Sequence, residues 1–487
     1  MKWQSIFSII GFMVVVCGFM MLFPAGLDYI DGNVKSAKIF SVTAALTVAA
    51  GSVLLLSTER NQSVLKTKEM FVTTTLIWVF YIFFCSLPYF FSFYGLGFAR
   101  SIFESVSGLT TTGATIFSNL DSLPEGVLLW RSLTHWMGGL GILVVAILIL
   151  PTLRTGGMQL FNIEVSGESN RDAPTIFQNV FSILIYFFVF TVVAVICLKL
   201  AGMNWFDAVN HAMSVVATGG FSTHDSSIAY FHSPLIEWVL SLFMFWGGLP
   251  LMFSIYLFHG SLETIRKNDQ IRLYFFSFIG FVLFMGTLRW VAVSFNNDSL
   301  ENILRTTVFS VASILTSTGF TLDNYQLWGS WAMAFFMVLM LPGGCTGSTT
   351  GGIKMFRLSV LFKIIHAKLK STARPHGIFV PRYGDKAIEE DVVFGVLTYI
   401  GLYFVSLFVG TLVLSLFQLD FVSAFSGALS ALSNIGPALG EHIGPDKTFA
   451  FLPSGALYVL SFLMLLGRLE FVAILILVLP FFWKKNI

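Results

Sequence analysis

Long apolar runs alternate along the chain with short polar interruptions, and the runs come in two lengths. Residues 5–26 and 39–56 each approach the ~20 residues that cross a hydrocarbon core. After them one plan recurs four times: an apolar span, a half-length segment opening on polar or small residues, a glycine turn, and a second apolar span. The spans are 71–93 and 127–150, 176–200 and 235–258, 273–295 and 331–365, then 392–417 and 449–482. The half-length segments are 99–109, 205–215, 302–315 and 421–432. This pattern predicts ten full spans and four re-entrant segments. The fold class that follows is an all-α polytopic membrane protein: two leading transmembrane helices, then four M1–P-loop–M2 repeats around a pseudo-fourfold central pore. The expected divisions are 1–66 for the leading helices and 67–152, 153–262, 263–372 and 373–487 for the repeats, with the second helix of the third repeat broken.

The glycine turns carry the candidate chemistry. The first reads Ser107-Gly108-Leu109-Thr110-Thr111-Thr112-Gly113, and the others centre on Thr218-Gly219, Thr318-Gly319 and Asn434-Ile435-Gly436. Gly113, Gly219, Gly319 and Gly436 are spaced by 106, 100 and 117 positions, as expected of one unit used four times. Non-helical backbone at membrane depth must be buried in protein or line a watery cavity, so four such stretches point to a shared cavity. Glycine permits positive φ and close approach of carbonyls, and rings of carbonyls can replace the hydration shell of an ion. Thr110, Thr111, Thr112, Thr218, Thr316, Ser317, Thr318 and Ser433 add uncharged hydroxyl oxygens. Neutral oxygens suit a weakly hydrated monovalent cation, whereas Ca²⁺ or Mg²⁺ would call for carboxylates. A single Thr-Gly pair would read as a close helix contact. Four at matched positions favour an ion filter.

Composition fixes the medium. Hydrophobic residues make up 56% of the 487, charged residues 11%, and the mean hydropathy is +0.81. No soluble domain hides that much apolar surface. The net charge of +2 and the absence of a basic tract give no reason to expect nucleic acid. Cys17, Cys85, Cys197 and Cys345 lie in apolar or glycine-rich stretches and read as buried small hydrophobes rather than a disulfide or metal set. The first apolar run has no small-residue cleavage site, so it reads as a span and not as a secretory leader.

Loop charge sets the expected orientation. Arg60, Lys66, Lys68, Arg154, Arg171, Arg266, Lys267, Arg272, Lys363, Lys368, Lys370, Arg374, Arg382, Lys386, Lys484 and Lys485 fall in one set of loops, with fewer cations opposite. The positive-inside rule puts both termini and the 363–386 loop in the cytoplasm and opens the glycine turns to the outside. Acids near the turns, among them Glu104, Asp121, Glu125, Asp207, Asp225, Asp323, Glu441 and Asp446, would form an acidic vestibule that concentrates cations. Segments 154–172, 260–272 and 363–391 offer polar docking surface for a soluble regulator.

Two further features stand out. The second span of repeat three is interrupted by Leu341-Pro342-Gly343-Gly344-Cys345-Thr346-Gly347-Ser348-Thr349-Thr350-Gly351-Gly352, which cannot hold a continuous helix. It should cross below the turns as a loop, a candidate gate, unless it is a passive kink. Arg468 lies deep in the last span. A charge there costs about 2.5–3.5 kcal/mol on insertion scales, so it must meet the loop's carbonyls or pair with nearby Glu470. Lys354 and Arg357 read as snorkelling cations at the cytoplasmic end of the broken helix. His135 and Trp136 read as packing and interface anchors, and His211 and His224 as lone histidines. No nucleophile–base pair or metal-ligand spacing suggests the alternative class, a membrane-embedded enzyme.

The runs at 110–115, 217–225 (ATGGFSTHD), 316–321 (TSTGFT) and 343–354 (GGCTGSTTGGIK) resemble the Trk/Ktr/HKT superfamily of potassium transporters, and within it the TrkH type, over almost the whole chain. The resemblance implies potassium-selective uptake across an inner or plasma membrane, with K⁺ as the transported ion and no organic cofactor. It implies K⁺ at Thr111, Thr112, Thr218, Thr318 and Ile435, and a gate formed by residues 343–352 with Arg468. A homodimer seated on a cytoplasmic, TrkA-like nucleotide-binding ring is also implied. In the family, serine at the first filter glycine goes with sodium permeation. Glycine at all four positions therefore favours potassium over the alternative of a Na⁺-permeable or Na⁺/H⁺-coupled relative.

Overall fold

The computed structural model describes residues 1–57, 66–92, 95–148, 173–251, 253, 268–293, 299–384 and 386–484. Helices α1 (Trp3–Met20), α2 (Leu22–Ile30) and α3 (Val34–Leu56) lead the chain. The first repeat is α4 (Thr67–Phe90), α5 (Gly97–Leu109) and α6 (Glu125–Leu148), and the second is α7 (Ala173–Leu200), α8 (Trp205–Val216) and α9 (Pro234–Gly247). The third is α10 (Asp269–Val293), α11 (Leu300–Leu315), α12 (Ser330–Leu339) and α13 (Met355–Ala373). A short hairpin, β1 (Arg382–Tyr383) and β2 (Lys386–Ala387), is added to the expected all-α fold. The fourth repeat is α14 (Glu390–Ser415), α15 (Phe421–Ser433), α16 (Ser454–Arg468) and α17 (Val472–Val478).

Six stretches among the described residues are long and apolar enough to cross a membrane: Trp3–Ile30, Val34–Leu56, Lys68–Phe90, Phe181–Leu200, Asp269–Ala292 and Glu390–Ser415. They are the leading pair and the first helix of every repeat. The second helix of repeat one, α6, runs unbroken as expected, and the break in repeat three is the expected one; the second helices of repeats two and four correct the expectation of further unbroken spans. In repeat two, α9 stops at Gly247, ahead of Gly248-Leu249-Pro250, where proline cannot continue a helix. The third is split by residues 340–354, and the fourth stops at Arg468, with Glu470 and Phe471 at φ 57° and 47°. The docking segments 154–172 and 260–267 lie outside the described residues.

The half-length helices α5, α8, α11 and α15 are the centre of the molecule. Three start on side-chain caps: Asn204 accepts from the Asp207 amide, Ser299 from Asn302 and Asp420 from Ser423. Each packs against the first and second helices of its own repeat. The second helix of one repeat also leans on the half-length helix of the next: α6 on α8, α9 on α11, and α16 back on α5. Between repeats three and four the polar loop supplies a contact instead, since a Cβ on Gly351 would run into the carbonyl of Ser433. The chain thereby closes into a ring.

Candidate functional site

All four half-length helices end in one backbone motif. The amide of Thr111 bonds to the Gly108 carbonyl at 3.0 Å and that of Thr112 to Ser107 at 2.9 Å. The same pair recurs as Thr218 to Val215 and Gly219 to Ser214, Ser317 to Ile314 and Thr318 to Ser313, and Asn434 to Ala431 and Ile435 to Ser430. This is a Schellman end, with the residue after the helix in the left-handed region, a place usually held by glycine. Here it is held by Thr111, Thr218, Ser317 and Asn434, at φ 52°, 51°, 49° and 51°. Such conformations cost about 1–3 kcal/mol each and persist where the surroundings over-determine them.

The next residues are Thr112, Gly219, Thr318 and Ile435, followed by Gly113, Gly220, Gly319 and Gly436 at φ 84°, 83°, 83° and 100°. This corrects the register expected for repeat two. Gly220, not Gly219, is the counterpart of Gly113, and Gly219 stands where the other repeats carry Thr112, Thr318 and Ile435. The serine five residues upstream, Ser107, Ser214, Ser313 or Ser430, is a shared sequence signal that fixes the register.

These glycines pack backbone to backbone around a closed circuit. A Cβ on Gly113 would strike the Gly219 carbonyl oxygen, and one on Gly220 that of Thr318. A Cβ on Gly319 would strike that of Ile435, and one on Gly436 that of Thr112. Each turn thus touches the next, and the fourth touches the first. One face of this ring opens to a cavity of about 80 Å³ that reaches all four glycines. Helix C-termini carry partial negative charge, and four of them meet at the ring, which favours a cation there.

Side chains hold the ring from behind. Thr110 and Thr112 hydroxyls bond to each other at 2.7 Å, as do Thr316 and Thr318, so these do not serve as free oxygens as the sequence suggested. Glu104 and Arg131 are fully buried and paired at 2.8 Å. Glu104 also accepts from the Ile116 amide, while Arg131 donates to the Ser222 carbonyl and stacks on Phe221 at 4.1 Å. Glu104 is therefore a brace between repeats one and two, not a vestibule acid. Asp207 is likewise buried, bonded to Thr223 and His224. His135 stacks on Phe221 at 4.0 Å, bonds to Ser214 and backs Gly219. His211 bonds to Ser222 at 2.9 Å. Asp121, Asp225, Asp323, Glu441 and Asp446 remain exposed.

His224 joins Asp121 of repeat one to Asp207 of repeat two and stacks on Tyr230 at 3.4 Å. Burial disfavours its charged form, but the hydrogen bonds to Asp207 and Asp121 outweigh that and raise its pKa above the ordinary 6.5. It is not a lone histidine.

Below the ring lies the 341–354 loop. Its neck closes through Ile353 to Leu341 and Lys354 to Pro342 backbone bonds. Its tip reaches the undersides of the turns: Thr349 meets the Thr218 hydroxyl at 3.0 Å, and the Gly351 amide donates to Ser317 Oγ at 2.6 Å. On the flank, Cys345 donates to the Gly248 carbonyl, the Leu251 amide donates to the Gly347 carbonyl, and the Thr346 amide donates to Gln270. Thr350 receives the Gly344 amide and bonds to Ser348 and Lys354. Arg468 is buried and donates to the Thr349 carbonyl at 2.6 Å, while its Nε and Nη2 find no acceptor among the described residues. Glu470 pairs instead with buried Arg357 at 2.8 Å, which corrects both the Arg468–Glu470 pairing and the snorkelling reading of Arg357. Lys354, too, is turned inward, onto Thr350.

No group of three or more metal-ligating His, Cys, Asp or Glu side chains occurs among the described residues. A family model described as TrkH, a cation transport protein, matches residues 36–485. The chain is 37% identical over 485 residues to the Trk system potassium uptake protein TrkI of Halomonas elongata, covering 99% of this chain and 98% of that one. It is 34% identical to the Trk system potassium uptake protein TrkH of Salmonella typhimurium across the full length of both. The crystal structure of the potassium transporter TrkH from Vibrio parahaemolyticus superposes with a TM-score of 0.90 at 30% identity, covering 99% of this chain and 100% of that one.

Proposed function

This chain belongs to the TrkH family of cation transport proteins, and from that premise we propose that it carries K⁺ across the inner or plasma membrane through the four-turn ring. Family membership makes it a membrane-embedded transport protein and not an enzyme. The observation that carries the reading is the closed circuit of backbone contacts from Gly113 to Gly219, Gly220 to Thr318, Gly319 to Ile435 and Gly436 to Thr112. Carbonyls held this rigidly can replace the hydration of a monovalent ion without rearranging. The filter comprises Thr111, Thr112 and Gly113; Thr218, Gly219 and Gly220; Ser317, Thr318 and Gly319; and Asn434, Ile435 and Gly436. The first two residues of each set offer carbonyls to K⁺. This extends the sequence-derived K⁺ positions to matching rings.

Residues 343–352 form the gate, latched by Arg468. The latch supports closure in two ways: it anchors the loop tip, and it leaves a cationic group beneath a cation path. The repeat boundaries, cytoplasmic termini, homodimeric state and nucleotide-binding regulatory ring complete the proposal. They rest on loop charge and on family resemblance. Uptake of radiolabelled Rb⁺ into liposomes of the purified protein tests the function. Unlabelled K⁺ should compete at least about tenfold better than Na⁺, a difference of ~1.4 kcal/mol. Uptake should persist without a Na⁺ or pH gradient. Equal competition by Na⁺, or uptake only with a gradient, would contradict the reading.

A further inference from the structure

A cavity of about 790 Å³ lies away from the pore, where the start of α10, the length of α13 and the chain leading into β1 converge. Its lining joins cations to large apolar side chains. Along α13, Phe362, Lys363, His366 and Lys370 line it at helical spacing, while Lys368 does not. Phe276 from α10 and Arg382 from β1 complete the walls that matter here. Asp269 is the one acid among the described lining residues, and it is already engaged by Arg272, Lys363 and the Gly384 amide. Lys370 and Arg382 therefore give the mouth a net positive character, with His366 beside them as a hydrogen-bonding group. The apolar wall continues onto the lipid-facing side of the protein: Phe276 and Leu283, two turns apart on α10, are 67% and 61% exposed.

We propose that this cavity is a binding site for an anionic phospholipid. The phosphate would meet Lys370, His366 and Arg382, and an acyl chain would lie on Phe276 and Phe362 toward the exposed face of α10. Cationic pockets at the edge of a bilayer select acidic headgroups, each cation near the surface contributing roughly fivefold in affinity. A soluble anion would use the cations but not the apolar wall. A soluble protein segment would have no use for a surface continuous with the membrane-facing side of α10. The site is independent of the ion pathway, so its failure would leave the transport reading untouched.

Native mass spectrometry of the full-length protein, titrated with phosphatidylglycerol or phosphatidylcholine of equal chain length, tests the proposal. Phosphatidylglycerol should be retained in preference, and Lys370→Gln and Arg382→Gln should each cut that preference roughly fivefold. Lys368→Gln should not. Lys370 and Arg382 are exposed, so neither single substitution should disturb the fold. Equal retention of the two lipids, or an undiminished preference in both single variants, would overturn the site. So would displacement of phosphatidylglycerol by millimolar inorganic phosphate, which would mark a free-anion site. Conversion of dimer to monomer in the variants with lipid preference unchanged would also overturn it and assign the cavity to a contact between copies of the chain.

Discussion

The ring and the loop beneath it are built on opposite principles. In the ring, four different side-chain sets (Thr-Thr-Gly, Thr-Gly-Gly, Ser-Thr-Gly and Asn-Ile-Gly) give one backbone, down to matching left-handed residues at φ 49–52°. In the loop, one repeat alone supplies the segment, and one arginine from a different repeat donates to its tip carbonyl, the latch we propose. Coordination of a spherical ion asks for equivalence around an axis, which backbone can supply whatever the side chains. A closable barrier needs only one element with two positions, so repetition would add nothing. The symmetric part depends on carbonyl geometry and the asymmetric part on a handful of polar contacts. The two should therefore fail separately.

The largest separation is expected on deleting Gly347 to Thr350. The deletion removes the contacts of Thr349 with Thr218 and Arg468 and that of Gly347 with Leu251. Basal Rb⁺ flux should rise by about tenfold or more with K⁺ preference retained, because a loss of ~1.4 kcal/mol already shifts a closed/open ratio tenfold. A passive kink would instead give lower flux through misfolding.

Arg468→Ala should follow with a smaller rise. It loses a single charge-assisted bond worth about 1.5–3 kcal/mol, part of which the remaining loop contacts offset. Glu470→Gln is its counterpart. It breaks the pair with Arg357, not the latch, so it should lower the melting temperature of the solubilised protein without raising flux. If Glu470→Gln opened the pathway as Arg468→Ala does, the assignment of the latch would be wrong.

Within the ring, the two glycines of repeat two face different neighbours. Gly220→Ala places a Cβ at positive φ against a carbonyl, and no neighbour can yield. Gly219→Ala meets the His135 ring instead. His135→Ala should therefore restore Rb⁺ uptake several-fold to Gly219→Ala but not to Gly220→Ala. Rescue of both, or of neither, would undo the register.

The smallest effect is expected at the outer seam. His224 has a folded pKa above its unfolded value, so its contribution to stability is complete below pH ~6.5 and is lost as pH rises through the raised value. The melting-temperature advantage of the parent over His224→Gln should be greatest at pH 5–6 and shrink on the alkaline side. An advantage independent of pH would leave the residue a neutral packing group.

The sequence showed the fourfold plan because hydroxyl-rich turns at membrane depth have few other uses, and it placed the broken helix because five glycines and a proline cannot hide. It misplaced the turn in repeat two because Gly219 and Gly220 are adjacent and either satisfies a spacing near one hundred. The left-handed positions are not legible in the sequence because Thr111, Thr218, Ser317 and Asn434 lack the glycine that normally marks them; the four upstream serines are the signal that marks the register. Charges misled most. Glu104, Arg131, Asp207 and Arg357 look like loop or snorkelling residues in one dimension. Their burial depends on partners 16 to 113 positions away, such as Thr223 for Asp207 and Glu470 for Arg357, which no local pattern encodes. Arg468 and Glu470 are close in sequence, yet the helix ends between them and turns their side chains to different partners.

In the proposed reading a shared backbone ring, independent of its side chains, selects the ion. Competition of K⁺ and Na⁺ against Rb⁺ uptake in liposomes of Gly113→Ser and Gly220→Ser protein tests it most directly. Each serine would disturb a carbonyl of the neighbouring repeat, so both variants should admit Na⁺ more readily relative to K⁺, and by similar factors. An unchanged K⁺/Na⁺ ratio in protein that reaches the membrane intact would contradict the claim.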